Sequence, residues 1–448
     1  MAHQYQWLQL STAQSLLAAR LADPNFLFWT AGELTLYIQE ALRTYNALTE
    51  VWLSDFVFNA TLASGTWYDL SVATGSPRLR TLTDNDLITM MEYHLLEPPN
   101  GNALPWGGTS QFDLNSLETA LQQRRDAMIQ MTGCNIARNS ALAYTPGINR
   151  VTFDDTVLEP RRVRIVPASG FGLSGLTLSK EDMLSFDYFE PAHNLTPALP
   201  MAWSIVCGPP LAMDTDTAPN VAGVYDLIYL ASGPTFAAGT QTLLGVPDDW
   251  AWVAKWGALA DLLGRESEAT DRERAAYSLN RFNEGIKIMQ QSNWIVRALI
   301  AGVPVDTPSL AEMDWYSPEW EQNSAAMTSL ISAGTDWVAP CPVATGSQSI
   351  GVLATLVGNA PVPVNATDYV QISRDTWDAV LDYAQHLAAF KMGGKEFSDT
   401  LPLYQNFQLR AVQENKRLLN MGLMTDVVHM QGRREDIEQE RYGTSESD

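Results

Sequence analysis

The sequence predicts an α+β fold: a helical core built from N-terminal helices and from helical pairs near 248–292 and 373–424, with antiparallel β-rich regions inserted between them. Three observations predict it. Apolar residues recur at helical spacing near both ends of the chain and again in its middle. Between 141 and 245, and again between 301 and 371, Pro and Gly become frequent and short β-rich runs replace that spacing. With 448 residues and 46% hydrophobic composition, the chain has material for more than one core.

Residues 1–140 read as helices with loops. Ser11 with Gln14, and Thr30 with Glu33, make capping-box pairs ahead of apolar runs. Behind Thr30, the residues Leu34, Tyr37, Ile38, Ala41, Tyr45 and Leu48 form a one-face stripe. VWLSDFVFNATL is strand-like. A third helix runs from about Thr83 to Leu96, ahead of Pro98 and Pro99, and a fourth starts near Asn115 and ends at Gly133. The β-rich domain 141–245 holds NRVTFDD, RRVRIVP, AWSIVCG and GVYDLIYLAS. Residues 246–300 form a helical pair. Asp248 or Asp249 caps its first helix. Thr270 with Glu273 caps the second, which carries Leu279, Phe282, Ile286 and Met289 on one face. Residues 301–371 are Pro/Gly-rich β or irregular structure, 372–432 a C-terminal helical pair, and 433–448 a charged flexible tail. The second pair echoes the first. GVPDDWAWVAKWGALADLL returns about 126 residues later as QISRDTWDAVLDYAQHLAAF, each followed by a helix with a Tyr, Tyr277 or Tyr404.

Composition narrows the function. Lys and Arg number 28 against 51 Asp and Glu, a net charge of −23. Such a surface repels nucleic acid and anionic lipid, which argues against binding of DNA or RNA by the whole surface. No uninterrupted apolar run is long enough to span a membrane, and MAHQYQWLQLSTAQ lacks the pattern of a signal peptide. Cys134, Cys207 and Cys341 are far apart and odd in number, so reduced, buried thiols are expected.

The search for chemistry finds little. GFGLSG at 170–175 matches a dinucleotide fingerprint, but LTLS follows where a helix should open, so a glycine-rich surface loop is the better reading. The DTD at 214–216 reads as a turn; a calcium loop needs more ligands at fixed offsets. The five histidines are dispersed, and His386, in an apolar helix, reads as a satisfied core residue. No nucleophile elbow, phosphate loop or zinc-protease pair is present. The expectation is a protein that is not an enzyme and needs no cofactor or metal. Arg161, Arg162 and Arg164 form the main basic cluster. Alternation in a strand puts Arg162 and Arg164 on one face, to pair within the chain, with acids of a neighbouring subunit, or with a phosphate.

On a helix, Trp252, Trp256, Leu259 and Leu263 of DDWAWVAKWGALADLLGRE make one bulky stripe. Ala251, Ala254, Ala258 and Asp261 lie on a smaller face beside Gly257, where a second helix can approach closely. Lys255 is the one base on its polar side. Core packing is the expectation. Trp250 lies at the helix start, off the stripe, and is a candidate to face a neighbouring subunit instead of the core.

The run GVYDLIYLASGP followed by LLGVPDDWAWVAKWGALADLLGRESEATDRERAAYSLNRFNEGI, with GELTLYIQEALRTYNALTEVW near the N-terminus, resembles structural proteins of tailed bacteriophages. Among these it is similar to head-to-tail connector (adaptor, neck) proteins, helix-rich rings under the portal. The likeness covers about 100 residues in two blocks, and its motifs are packing motifs. It implies a non-enzymatic homo-oligomeric ring, of about twelve copies where it docks on a portal, closed by head-to-tail contacts. Portal and tail or neck proteins are the implied partners. DNA would pass through without specific binding, no membrane would be involved, and the location would be the virion neck or tail after synthesis in the host cytoplasm. Typical adaptors are much shorter and lack such a β-rich region. Candidate interface residues are Trp250, Arg161, Arg162 and Arg164, with Arg433, Arg434 and Tyr442 of the tail. Two other readings stay open. One is another tail, collar or baseplate protein of six-fold or three-fold symmetry. The other is a glycan-active hydrolase, which needs a cleft with two acids and exposed tryptophans.

Overall fold

The computed structural model describes residues 7–61, 67–70, 80–95, 112–167, 175–184, 186, 197–208, 210–237, 240–265, 271–292, 294–317, 320–322, 328–341 and 349–420. Its helices are α1 (Leu10–Arg20), α2 (Ala31–Thr49), α3 (Asp84–His94), α4 (Leu114–Thr132), α5 (Ala251–Gly264), α6 (Arg272–Gln291), the short α7 (Leu310–Tyr316), α8 (Arg374–Phe390), α9 (Gly394–Ser398) and α10 (Leu401–Asn420). With antiparallel sheets beside them, the class is α+β, as the sequence predicts.

These described helices, except α7, share one apolar core, although they come from three distant parts of the chain. α5 is its centre: every residue but Asp261 and Gly264 is buried. Burial of a large apolar side chain contributes about 1.5–3 kcal/mol, so Trp252, Trp256, Leu259 and Leu263 make α5 the main packing element. Gly257 and Gly285 allow its neighbours to come close. A Cβ at Gly257 would lie 2.8 Å from the Phe282 ring of α6 and 3.0 Å from Arg124 of α4. One at Gly285 would lie 2.5 Å from Val253.

The strands stack as four layers. The outermost sheet has the order β5 (Arg150–Thr152), β10 (Ala212–Thr215), β9 (Ala202–Val206), β8 (Ser179–Lys180), its β8–β9 pair parallel. The next runs β4 (Ile136–Tyr144), β11 (Gly223–Ala231), β6 (Val157–Pro167), β7 (Leu176–Thr177). Val163, Ile165, Tyr225 and Leu227 of this sheet meet Trp203 and Met213 of the first. The third sheet is β14 (Ser329–Ala333), β15 (Trp337–Cys341), β3 (Tyr68–Asp69). The fourth is β13 (Val303–Val305), β12 (Ile295–Ile300), β16 (Ser349–Val357), β2 (Leu53–Thr61). The third is apolar on both faces, as period-2 alternation allows. Ile331, Ala333 and Ala339 face Ile228 of the second sheet, while Leu330 and Val338 face the fourth. A separate two-stranded pair joins β1 (Leu8–Gln9) to β17 (Tyr369–Val370).

Several local expectations are corrected. β2 is the strand-like VWLSDFVFNATL, as expected, and completes a sheet with strands of 301–371; β3 and β12, from regions read as helical, do the same against expectation. The partners of β2 and β3 lie hundreds of residues away, so no local composition shift marks such a border. Ser11 caps nothing; α1 starts at Leu10 behind Gln9, which makes no side-chain cap. Thr30 accepts from the Glu33 N–H at 3.2 Å, but the Glu33 carboxylate turns to Tyr37 and Lys391 instead of completing the box. Asp271 caps α6, accepting from the Arg274 N–H, while Thr270 lies outside the described residues. Leu279 is 40% exposed, although Phe282, Ile286 and Met289 are buried. Asp214 is a residue of β10, held by both arms of Arg150 at 2.7 and 2.6 Å, and is no turn residue. All three cysteines are free, Cys134 and Cys341 buried but Cys207 exposed.

Candidate functional site

The candidate site lies where α2 and α6 end and α5 begins. Pro247 leads into a 3-10 turn, Asp248–Trp250, which runs directly into α5. Neither acid caps this helix; each is drawn away by a better set of donors. Asp248 accepts from the backbone N–H groups of Thr81 and Leu82 at 2.8 and 2.9 Å and from the Thr81 hydroxyl at 2.6 Å. Asp249 Oδ2 accepts from Asn46 Nδ2 at 2.5 Å and from the Ala360 N–H at 2.8 Å. Asn46 also donates to the Gly358 carbonyl at 2.7 Å. One carboxylate therefore ties α2, the start of α5 and the chain leaving β16 into one knot.

Asp249 is 4% exposed, and no described residue donates to its Oδ1. Burial pushes its carboxyl up to about 6, against the hydrogen bonds from Asn46 and Ala360 and the charge of Arg43. It lines a narrow crevice with Asn46, Glu50, Trp250, Ser292 and Trp294. A wider, shallower crevice adjoins it, sharing Ala47, Glu50 and Ser292. Trp250 is 6% exposed and packs edge-on against Trp294, ring centres 5.9 Å apart. Its own chain encloses it, so the expectation that it faces a neighbouring subunit is corrected.

The arginine strand is also turned inward. Arg162 and Arg164 share a face of β6, as alternation predicts, and are 5% and 8% exposed. Both reach Glu321, at 2.9 and 2.8 Å; Arg162 also reaches Asp314 at 3.2 Å. Trp67 donates to the same Glu321 at 3.0 Å. These pairs satisfy within the chain the charges that could have met a partner. Arg161 points the other way, half exposed, 3.3 Å from Glu159. Arg433, Arg434 and Tyr442 lie outside the described residues, as does GFGLSG except for Gly175. Gly175 has φ +124°, and a Cβ there would meet the Arg164 guanidinium at 2.7 Å.

Further ionisable groups are sealed in the helical core. Lys255, expected on a polar side, is 0% exposed and bonded to Glu40; its Nζ also donates to His94 Nε2 at 3.1 Å. Trp256 Nε1 donates to Glu40 at 3.0 Å. Burial pushes the Lys255 ammonium down, against Glu40, and holds His94 well below the usual histidine range, with Lys255 adding to the effect. Arg281 reaches the hydroxyls of Tyr404 and, at 2.8 Å, Tyr383. His386 meets the expectation of a satisfied core residue, bonded through both nitrogens to Thr400 at 2.8 Å and Tyr277 at 2.9 Å. The two echoed tyrosines converge here, Tyr277 and Tyr404 standing 6.4 Å apart.

Two acids line the crevice, Asp249 and Glu50, beside Trp250 and Trp294. Asp248, the acid next to Asp249 in sequence, has its oxygens committed to Thr81 and Leu82. Among the described residues, no group of three or more His, Cys, Asp or Glu is placed to hold a metal ion, and no helix is long and apolar enough to cross a membrane. Sequence reasoning missed Trp294, whose role depends on a neighbour far away in the chain. It also missed Trp315 and Tyr316, 82% and 64% exposed on α7. The signal was present: Leu310 and Met313, at i and i+3, face the third sheet and leave the two aromatics outside. No protein-family model matches the chain, and no curated protein matches it.

Proposed function

We propose that this chain is a virion structural protein of a tailed bacteriophage, a ring-forming head-to-tail connector that links portal to tail and lines the DNA conduit. The observation that supports this most is the role of the stretch carrying the resemblance. DDWAWVAKWGALADLL is the buried centre of the helical core, the use that a packing motif implies. Two further features agree with it. The net charge of −23 suits a wall past which DNA slides without adhering. Trp315 and Tyr316 offer exposed aromatics of the type enriched at protein interfaces.

The test is native mass spectrometry with electron microscopy of the purified chain. A closed ring of about twelve copies fits a portal-docking connector. A strict monomer overturns the reading, and a ring with a neutral or basic lumen overturns the DNA-wall part of it. The four β layers favour a second reading, a tail or baseplate component, which the same images would reveal as six-fold or three-fold symmetry. Deleting residues 433–448 is expected to leave the fold intact and weaken assembly on the partner ring; full assembly without them removes the tail from the interface.

A further inference from the structure

We infer that the outer edge of β2 is an interface for a second copy of this chain. Two copies join β2 to β2, antiparallel about a two-fold axis at Val57, and so fuse two four-stranded sheets into one. β2 ends the sheet order β13-β12-β16-β2, and among the described residues no backbone hydrogen bond reaches its outer side. Edge strands are commonly defended by shortness, a proline, a bulge or a lysine. β2 has none of these. It is nine residues long, pairs with β16 without a register shift, and contains no Pro, Gly or Lys. Its single charged residue, Asp55, accepts from the Thr355 hydroxyl of β16 at 2.6 Å, which draws the carboxylate away from the edge. Other edges differ. β13 has three residues with Pro304 at the centre. β4 is as long as β2, but a register shift interrupts its pairing and it carries Arg138.

The strand complements itself, and that selects a second copy as the occupant. Directly opposed residues of an antiparallel pair share a face. Phe56 and Phe58, which face the third sheet, must therefore meet inward residues of the partner strand; a slip of one residue sets them beside its outward row. Among registers that match the faces, the one centred on Val57 pairs all nine residues. It sets Phe56 against Phe58 and Asp55 against Asn59, which keeps the two Asp55 residues about 14 Å apart. Centring on Asp55 would oppose the two acids directly, at a cost. Val57, 66% exposed, meets its own copy at the axis. β13 is a poor partner edge, being short and lacking an N–H at Pro304. The contact is isologous and distinct from the head-to-tail contacts of the proposed ring, so it joins two single chains or two rings.

The test is native mass spectrometry of the full chain over a range of concentrations, with cross-linking. The unaltered chain is expected to give a doubled species that grows with concentration. V57K sets like charges together at the axis, on a side chain that solvent already reaches. It should leave the thermal midpoint nearly unchanged and weaken the pairing roughly tenfold or more. V57E should do the same, and mixing V57K with V57E should restore the doubled mass. A second measurement stands apart from these variants. Opposed Cα atoms at the axis lie about 4.5–5.5 Å apart, within reach of a disulfide. In a C207S background, which removes the exposed Cys207, V57C should form a covalent dimer on mild oxidation, whereas D55C or N59C alone should not. The inference is overturned by the absence of a doubled species at every concentration, by V57K pairing as well as the unaltered chain, or by D55C cross-linking as fast as V57C. Slow hydrogen exchange of every β2 amide at high dilution also overturns it, because the edge would then be closed within a single chain.

Discussion

The helical core and the β layers handle buried charge in opposite ways. The helical core places it at its centre: Lys255, Glu40, His94 and Arg281 are all 2% exposed or less, ringed by Trp252, Trp256, Tyr383 and Phe390. The β layers keep apolar interiors and put their charges in the joint between sheets, where Arg162 and Arg164 meet Glu321 and Asp314. The reason is geometric. A long side chain in the middle of a bundle reaches partners on several helices. A strand inside a sandwich sends alternate residues to opposite faces and meets only one opposing layer at each. The joint is buried as well, but Arg162 keeps Asp314 when Glu321 is lost.

That contrast orders the expected effects of substitution. The largest is K255M, which strands Glu40 in the core. A broken buried ion pair costs about 3–5 kcal/mol, read as a fall in the urea midpoint, and K255M/E40L should recover most of it. If K255M unfolds no more easily than the unaltered chain, the ion pair is not what the core depends on.

The pH response comes next. Burial, with the charge of Arg281 adding, pushes His386 down to about 3, so the folded state binds its proton less well than the unfolded state does. Its stability contribution is complete above the ordinary histidine range and is lost as pH falls, by about 1.4 kcal/mol per pH unit in that window. His94 acts in the same direction. Asp249, pushed up to about 6, has the opposite sign: its contribution is greatest below pH 3.8 and is lost as pH rises through 6. Between about pH 6 and 4 the two histidines therefore oppose Asp249. In thermal melts across that range, H386Q should flatten the acid loss and D249N should steepen it. Parallel curves for all three proteins would contradict both assignments.

E321Q probes the joint. It weakens two charge-assisted contacts to Arg162 and Arg164 while leaving Asp314 and Thr177 on Arg162. The expected loss is about 2 kcal/mol, smaller than for K255M. Hydrogen exchange should speed up in β6 and β11 and stay unchanged in α5; exchange rising equally in both would erase the distinction between the two regions. The smallest effect is that of G285A. The added methyl presses on Val253, a strain of about 1–3 kcal/mol, but the gain in helix propensity over glycine, about 1 kcal/mol, offsets part of it. An increase in melting temperature would show that α5 and α6 have room to spare.

The sequence by itself determined the fold class, most helix positions and four strands of the 141–245 region, β5, β6, β9 and β11. α2, α3, α4 and the two later helical pairs appear because 3.6-residue periodicity and turn residues are local signals. Gly133, at φ +69°, ends α4 as its position suggests. The packing role of the Trp252–Leu263 stripe, the shared face of Arg162 and Arg164 and the core role of His386 were legible for the same reason. Only the tertiary structure decided what those residues touch. Asp249 looked like a helix cap because its own neighbours in sequence favour that role. Asn46 and the Ala360 N–H, about 200 residues before it and 111 after it, are the donors it took instead. Lys255 looked like a solvated base until α2 and α3 placed Glu40 and His94 against it. Trp250 looked outward until the chain after α6 set Trp294 beside it. A side chain's rotation about its helix is written in local sequence, but the partner that closes over it comes from another part of the chain, and the energy of that closure decides its role.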